Sequence, residues 1–431
     1  MQQLGPYIDI SVSVEEKPVD ESEENKEKKE DKAISIQFPL ILLRTKRGLD
    51  ILNKLASLKP IKNLGTASLI LFPIIGAIGF VLISYSATIT IQSTTIRAFV
   101  KSAGPLVNLM IPGLNPYVPI IYGWLALVVA MVVHEGSHGI MARFFNYRVK
   151  SSGIILFLIL PIGAFVDIDE EEVKKAPARN SARVMAAGPI SNLTVAIVSL
   201  ICLMLVVGSM NPVAEGVGVT GVYEKFPADS AGLKPADMII AINNQNVRSG
   251  SDIRSIITTL KPGDTVSLRT LHEGKEVDRT VILVASENSS TPIMGFEAMD
   301  SGMISNVLKN YQEIRVVSPL LYLFLPTFTM GQWQVPYSDM MHQFYTSPLG
   351  SYTYAVANSL FWLWFVNFNL AVFNALPLYP LDGGQAVRAA LESYGSSKGW
   401  KEKTAKRIVT VISLMVLALI LVTIVMPYLL G

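Results

Sequence analysis

Long apolar runs alternate with charged loops along most of this chain. Runs near Ala67–Ile89, Val118–Met141, Val184–Val207, Tyr352–Leu376 and Ile408–Leu430 can each cross a bilayer, which takes roughly 20 residues. Ile154–Val166 is shorter and contains Pro161 and Gly163. It predicts a re-entrant loop or a membrane-embedded hairpin, backbone that is tolerated only against protein or a wet cavity. A second short run, Pro319–Phe328, is expected to dip into the membrane surface. Upstream, residues 1 to about 35 are polar, with a mixed-charge run from Glu15 to Lys32; this composition predicts a disordered tail. Phe38–Lys62 mixes apolar and basic residues and is expected to lie along a membrane surface as an amphipathic segment.

Between the third and fourth long runs the period changes to two. Thr265-Val266-Ser267-Leu268-Arg269 alternates like a strand, and His272-Glu273-Gly274-Lys275 reads as a hairpin turn. Ser251 is the expected N-cap of a short helix whose Ile253, Ile256, Ile257 and Leu260 fall on one face. A mostly-β domain is thus inserted between membrane segments.

Composition agrees with the pattern. Half of the 431 residues are hydrophobic and 16% are charged, which describes a polytopic α-helical membrane protein of about five to six spans. The net charge of +2, with no basic patch interleaved with aromatics, gives no reason to expect a nucleic-acid partner. The lone cysteine, Cys202, excludes an internal disulfide and a Cys-rich zinc site. The first 30 residues lack an apolar core, so no cleavable signal peptide is expected. Lys and Arg crowd the loops before the first span, between the second and third, and between the fourth and fifth. The positive-inside rule then predicts a cytosolic N-terminus, with the β domain outside a cell membrane.

Within the second run stands His134-Glu135-Gly136-Ser137-His138. On a helix, positions i and i+4 share a face, so both imidazoles can reach one metal ion. Glu135 can then act as general base on a water beside that ion. An ionisable cluster at bilayer depth is a functional candidate by default. The third ligand must be a carboxylate at matching depth. Asp167, near Asp169, is one candidate; Asp382, in Asn374-Ala375-Leu376-Pro377-Leu378-Tyr379-Pro380-Leu381-Asp382-Gly383-Gly384, is the better one. His134 lies 16 residues past Val118, or roughly 24 Å along a helix, in the cytosolic third of the membrane. Asp382 follows a helix running the same way, broken by Pro377 and Pro380 so that it can turn inward.

These motifs resemble the site-two protease family of intramembrane zinc metalloproteases. H-E-x-x-H in one span, N-x-x-P-x-x-P-x-D-G in a later one, and Ala187-Gly188-Pro189-Ile190-Ser191-Asn192 between them stand in that family's order. Phe226 to Ile239 likewise resembles the motif of a bacterial-type PDZ domain. The resemblance implies a three-helix catalytic core, one zinc ion per chain on His134, His138 and Asp382, and Glu135 as catalytic base. It also implies Asn192 near the scissile peptide, where its amide would hold the substrate or stabilise an oxyanion. Asn374 is ambiguous between such a role and a helix contact.

The expected organisation is 1–62 tail and amphipathic segment, 63–211 N-terminal membrane part, 212–298 PDZ domain and 299–431 C-terminal membrane part. A PDZ domain would take a peptide, its carboxylate terminus received by the Gly216-Val217-Gly218-Val219 stretch. Asp237 is expected to support a turn. The expected function is zinc-dependent cleavage of transmembrane segments of membrane-anchored proteins within the bilayer. The alternatives are a metal transporter or sensor, and a catalytically silent membrane scaffold that presents a PDZ domain.

Overall fold

The structure is a computed structural model. It describes residues 34–430, apart from 38, 46, 109, 158–159, 273, 287–288 and 314–333. The segment before residue 34 and the Pro319–Phe328 run lie outside the described residues.

Two strands come first, β1 (Ile34–Gln37) and β2 (Leu40–Thr45), then a helix, α1 (Arg47–Ala56). The long helix α2 (Pro60–Gln92) is followed by the short α3 (Thr94–Ala103) and by α4 (Ile120–Phe144), which carries the His-Glu motif. A hairpin of β3 (Val149–Phe157) and β4 (Leu160–Ile168) leads through α5 (Glu170–Lys175) into α6 (Ala178–Gly208). The inserted domain contains β5 (Val217–Val222), β6 (Met238–Ile242), α7 (Gly250–Ile257), β7 (Thr265–His272), β8 (Lys275–Ile282) and β9 (Phe296–Met299). Then come α8 (Ser301–Gln312), α9 (Tyr352–Asn374), α10 (Asp382–Ser397) and α11 (Glu402–Leu429). Among the described residues, α2, α4, α6, α9 and α11 are the helices long and apolar enough to cross a membrane. They coincide with the five apolar runs.

Helices α4, α6 and α9 pack on one another at the centre of the membrane part. Ala126 and Ala130 of α4, Ala196 of α6 and Ala357 of α9 are fully or almost fully buried. Small residues at these positions let the backbones approach closely, the usual basis of helix association in lipid. Helix α2 closes on the end of α9 in the same way: a Cβ added at Gly76 would lie 2.6 Å from the Ala375 carbonyl oxygen.

The short run Ile154–Val166 is a hairpin, and it belongs to a larger sheet than its sequence suggests. The order is β1-β2-β3-β4, all antiparallel, with Leu43 opposite both Ile34 and Ile154. This corrects the expectation for the chain's beginning: part of the presumed amphipathic segment is strand, and it covers one edge of the hairpin. Gly153 permits the join, because a Cβ there would lie 2.1 Å from the Leu43 carbonyl oxygen. Helix α1 is amphipathic as expected: Leu52 is buried, while Ile51 is 62% exposed. The edge left free beside α4 is β4. Its Val166 meets α4 at Gly139, where a Cβ would lie 2.9 Å from Val166 Cγ1.

The inserted domain is a twisted sheet of order β8-β7-β6-β5-β9, with the β7–β8 hairpin closing at Gly274, whose φ of +79° suits the turn. Val217, Val219, Ile239, Ile242, Val266, Leu268 and Val281 form its core. The N-cap of α7 is Ser249, not Ser251: Ser249 and Asp252 form a reciprocal capping box, which satisfies donors at both positions. Asp237 supports a turn as expected. It is fully buried and accepts from the Lys234 N–H at 3.0 Å and from Arg279 at 3.2 Å, with His272 Nδ1 at 2.5 Å. The Gly216–Val219 stretch does not form a carboxylate-binding loop. Val217 and Gly218 pair with β6, Gly218 and Val219 pair with β9, and a Cβ at Gly218 would strike Phe344 at 2.8 Å. Among the described residues the sheet ends at β8 and at β9, and β9 lies beside the start of α7, where the Gly250 N–H donates to Asp300 at 2.6 Å.

One hydrophobic core runs from the membrane helices into this domain. It includes Ala130 and Leu203 from the spans, Met238 and Met299 from the sheet, and Ile304, Tyr337 and Phe344 between them. The sheet is therefore seated on the helices rather than tethered to them.

Candidate metal centre

His134 and His138 lie one helical turn apart on the face of α4 that turns towards α6, and both are 7% exposed. Asp382 opens α10, after α9 has ended at Asn374. The chain folds back sharply between these helices. A Cβ at Gly383 would lie 2.2 Å from the Leu376 carbonyl oxygen, and one at Gly384 would lie 2.3 Å from the Tyr379 nitrogen. The two glycines thus allow the reversal that brings Asp382 back to α4.

The distances define the centre. His134 Nε2 and His138 Nε2 are 3.2 Å apart. Asp382 Oδ2 lies 3.1 Å from the first and 3.4 Å from the second. A tetrahedral zinc ion with bonds of about 2.0–2.1 Å separates its ligand atoms by roughly 3.3 Å. The triangle of donor atoms has that size.

The outward ring nitrogens decide which protons are present. His138 Nδ1 is 2.7 Å from the Val184 carbonyl oxygen, which can only accept, so Nδ1 carries a proton and Nε2 is the atom turned to the centre. His134 Nδ1 faces the carboxamide of Asn192 at 3.3 Å. That side chain is fully buried; its Nδ2 is the atom at this distance, and its Oδ1 has no partner. With Oδ1 turned to His134, the carboxamide accepts from Nδ1–H and its orphaned acceptor is satisfied. The two Nε2 atoms and the Asp382 carboxylate oxygen converge on one point. Asp382 Oδ2 is buried and faces the two imidazoles. Two imidazoles with one carboxylate, gathered in a desolvated site, are a zinc donor set that leaves a fourth position open.

Helix α6 forms one wall. A Cβ at Gly188 would lie 2.4 Å from His138 Nε2 and 2.8 Å from His134 Nε2, so only glycine lets this helix pass so close to the ligand atoms. On the other flank, no atom lies within 4 Å of a Cβ placed at Gly136. There is open space on α4 directly beside Glu135, which is partly exposed.

Among the described residues, His134, His138 and Asp382 are the group of such side chains close enough to hold one ion. Asp169 is the N-cap of α5, accepting from the Glu171 and Glu172 N–H groups, and Asp167 lies in β4 outside the group. Asn192 is buried beside His134. Sequence reasoning left two contributors without a role. The Val184 carbonyl is backbone and leaves no sequence signal. Gly188 stood in the quoted motif, but nothing in its spacing shows what it faces.

The model of Peptidase family M50 matches residues 122–420, which takes in α4 through most of α11. The chain is 28% identical over 342 residues to an uncharacterized protein of Methanocaldococcus jannaschii, covering 79% of this chain and 75% of that one. It is 25% identical to the regulator of sigma-W protease RasP of Bacillus subtilis, over 69% of this chain and 72% of that protein. It is also 25% identical to the zinc metalloprotease RasP of Bacillus licheniformis, over 60% of this chain and 64% of that protein. The inserted domain is similar to the PDZ domain of an SdrC-like protein from Listeria monocytogenes, at 28% identity over 20% of this chain and 90% of that one, with a TM-score of 0.19. A family match over most of the chain, with the convergent His-His-Asp centre inside it, fits one description: the chain belongs to Peptidase family M50, the site-two protease family that its motifs resemble.

Proposed function

We propose that this membrane peptidase cleaves transmembrane segments of membrane-anchored proteins, with one zinc ion per chain on His134, His138 and Asp382. The convergence of two imidazole nitrogens and a carboxylate oxygen, one residue from Glu135, is the observation that supports this reading. A zinc ion held there supplies Lewis-acid polarisation of the scissile carbonyl and lowers the pKa of the attacking water. Glu135 takes a proton from that water as its oxygen bonds to the carbonyl carbon. When the C–N bond breaks, Glu135 returns the proton to the leaving nitrogen. Asn192 and the Val184 carbonyl hold the two imidazoles in the tautomer that presents Nε2.

The substrate must be extended at the cleavage point, because a helix hides its carbonyls. The free edge of β4 packs beside α4, one residue past His138, and offers backbone groups to such a strand. With the N-terminus cytosolic, the PDZ domain lies outside. The free edge of β9 would there receive a peptide end.

The test compares wild type with Glu135→Gln on a model transmembrane substrate. Zinc retained with cleavage abolished is the expected result. Equal cleavage by the two proteins would sink the mechanism. Zinc transport without cleavage by either would favour the transporter reading.

A further inference from the structure

A cavity of about 400 Å³ lies between the reversal that carries Asp382 and the last membrane helix. It is in the size range of small-molecule clefts, about 300–1,000 Å³. Leu378 and Tyr379 of the reversal, Arg388 of α10, and Lys406, Val409 and Leu417 of α11 are among its lining residues. None of these side chains belongs to the metal centre.

The lining is polarised along α11. Both cations are at the end where α11 begins. Arg388 lies over the Tyr379 ring, 5.6 Å from its centroid, and donates to Glu392 at 2.8 Å. Towards the membrane interior the wall becomes apolar. From Lys406 to Leu417, 11 residues on, the helix rises roughly 16 Å. That is about the depth of one leaflet's hydrocarbon layer, half of a core about 30 Å thick. Leu414 is 59% exposed and Leu417 39%, so the apolar wall opens to the side of the helix bundle. A free phosphate would use only the charged end. A water-soluble organic anion would leave the leucine end in contact with lipid. A molecule with a phosphate at one end and an acyl chain at the other matches both.

We propose that this cavity binds an anionic phospholipid. Arg388 and Lys406 receive the headgroup phosphate, and one acyl chain lies along Val409, Leu414 and Leu417. The bound lipid touches the segment that positions Asp382. The Tyr379 N–H donates to Ser413 Oγ at 2.9 Å, and Ser413 is itself 8% exposed and part of the cavity wall. The lipid therefore packs against the hydrogen bond that fastens the reversal to α11. This inference does not depend on the zinc reading, and its test reads lipid rather than proteolysis.

The full chain is exchanged into nanodiscs that contain either phosphatidylcholine alone or a mixture with phosphatidylglycerol. Retained lipid is then counted by native mass spectrometry. Wild type is expected to keep phosphatidylglycerol in preference to phosphatidylcholine. Each basic residue near an anionic lipid contributes about a fivefold step in affinity, so Arg388→Gln with Lys406→Gln should weaken retention by about 30-fold. Lys401→Gln with Lys403→Gln removes the same charge outside the cavity and should leave retention unchanged. Leu417→Gln, which spares both cations, should also weaken retention. No preference in wild type, equal loss in the two double variants, or full displacement of the lipid by inorganic phosphate would overturn the proposal.

Discussion

Replacing Gly188 with alanine tests the metal centre through its wall rather than its ligands. The added carbon would sit 2.4 Å from His138 Nε2, about 1 Å inside ordinary contact. Zinc sites hold their bond lengths to about ±0.2 Å, so the imidazole cannot keep both its ion and its place. A displacement of this size costs on the order of 100-fold in rate even when the ligands survive. Alanine otherwise favours a helix by about 1 kcal/mol over glycine, so α6 itself should remain helical. The expected result for Gly188→Ala is retained helical circular dichroism, zinc well below one per chain by elemental analysis, and cleavage of a model transmembrane substrate at least 100-fold slower. Gly136→Ala is the matched control. It adds the same methyl to the motif helix where no atom lies within 4 Å, and it should keep its zinc. A Gly188→Ala protein with full zinc and wild-type cleavage would refute the geometry.

Two further outcomes follow from the supports of the centre and the sheet. Asn192→Ala removes the acceptor behind His134 and should weaken zinc binding 10–100-fold, the usual effect of losing a partner of a ligating histidine; competition with a chelator measures it, and an unchanged affinity would assign Asn192 to substrate instead. Gly153→Val places carbon against the Leu43 carbonyl and should release β1 and β2 from β3, read as faster amide exchange over residues 34–45 with little change in the helices.

The metal-bearing spans were legible because the chemistry constrains their sequence tightly. His134 and His138 must be four apart on a helix, and Asp382 is marked by the prolines and glycines of its reversal. The five spans were legible because lipid demands long apolar runs. The β1–β2 strands were not. Leu40–Leu43 is uniformly apolar and short, a pattern shared by buried strands and helix segments, and its partner β3 lies more than a hundred residues away. The PDZ groove was misplaced for a related reason. Gly216–Val219 has the small, apolar character of a ligand-binding loop, but only the sheet order shows that both its edges are already used. Asn192 was found by its motif, while its contact with His134 depends on how α6 crosses α4, which no local pattern encodes.

The pairing of β2 with β3 also sets an order on biosynthesis. Leu40–Thr45 leaves the ribosome before α2 and α4, yet its partner strand follows both. The early strand can pair with β1 at once, but the backbone groups on its other edge must wait until two spans have been inserted and β3 emerges. Until then its apolar side chains are open to chaperones or to the membrane surface. The sheet beside the metal centre can close only after α4 is in place, so the strand edge offered to a substrate is completed later than the helix that would cut it.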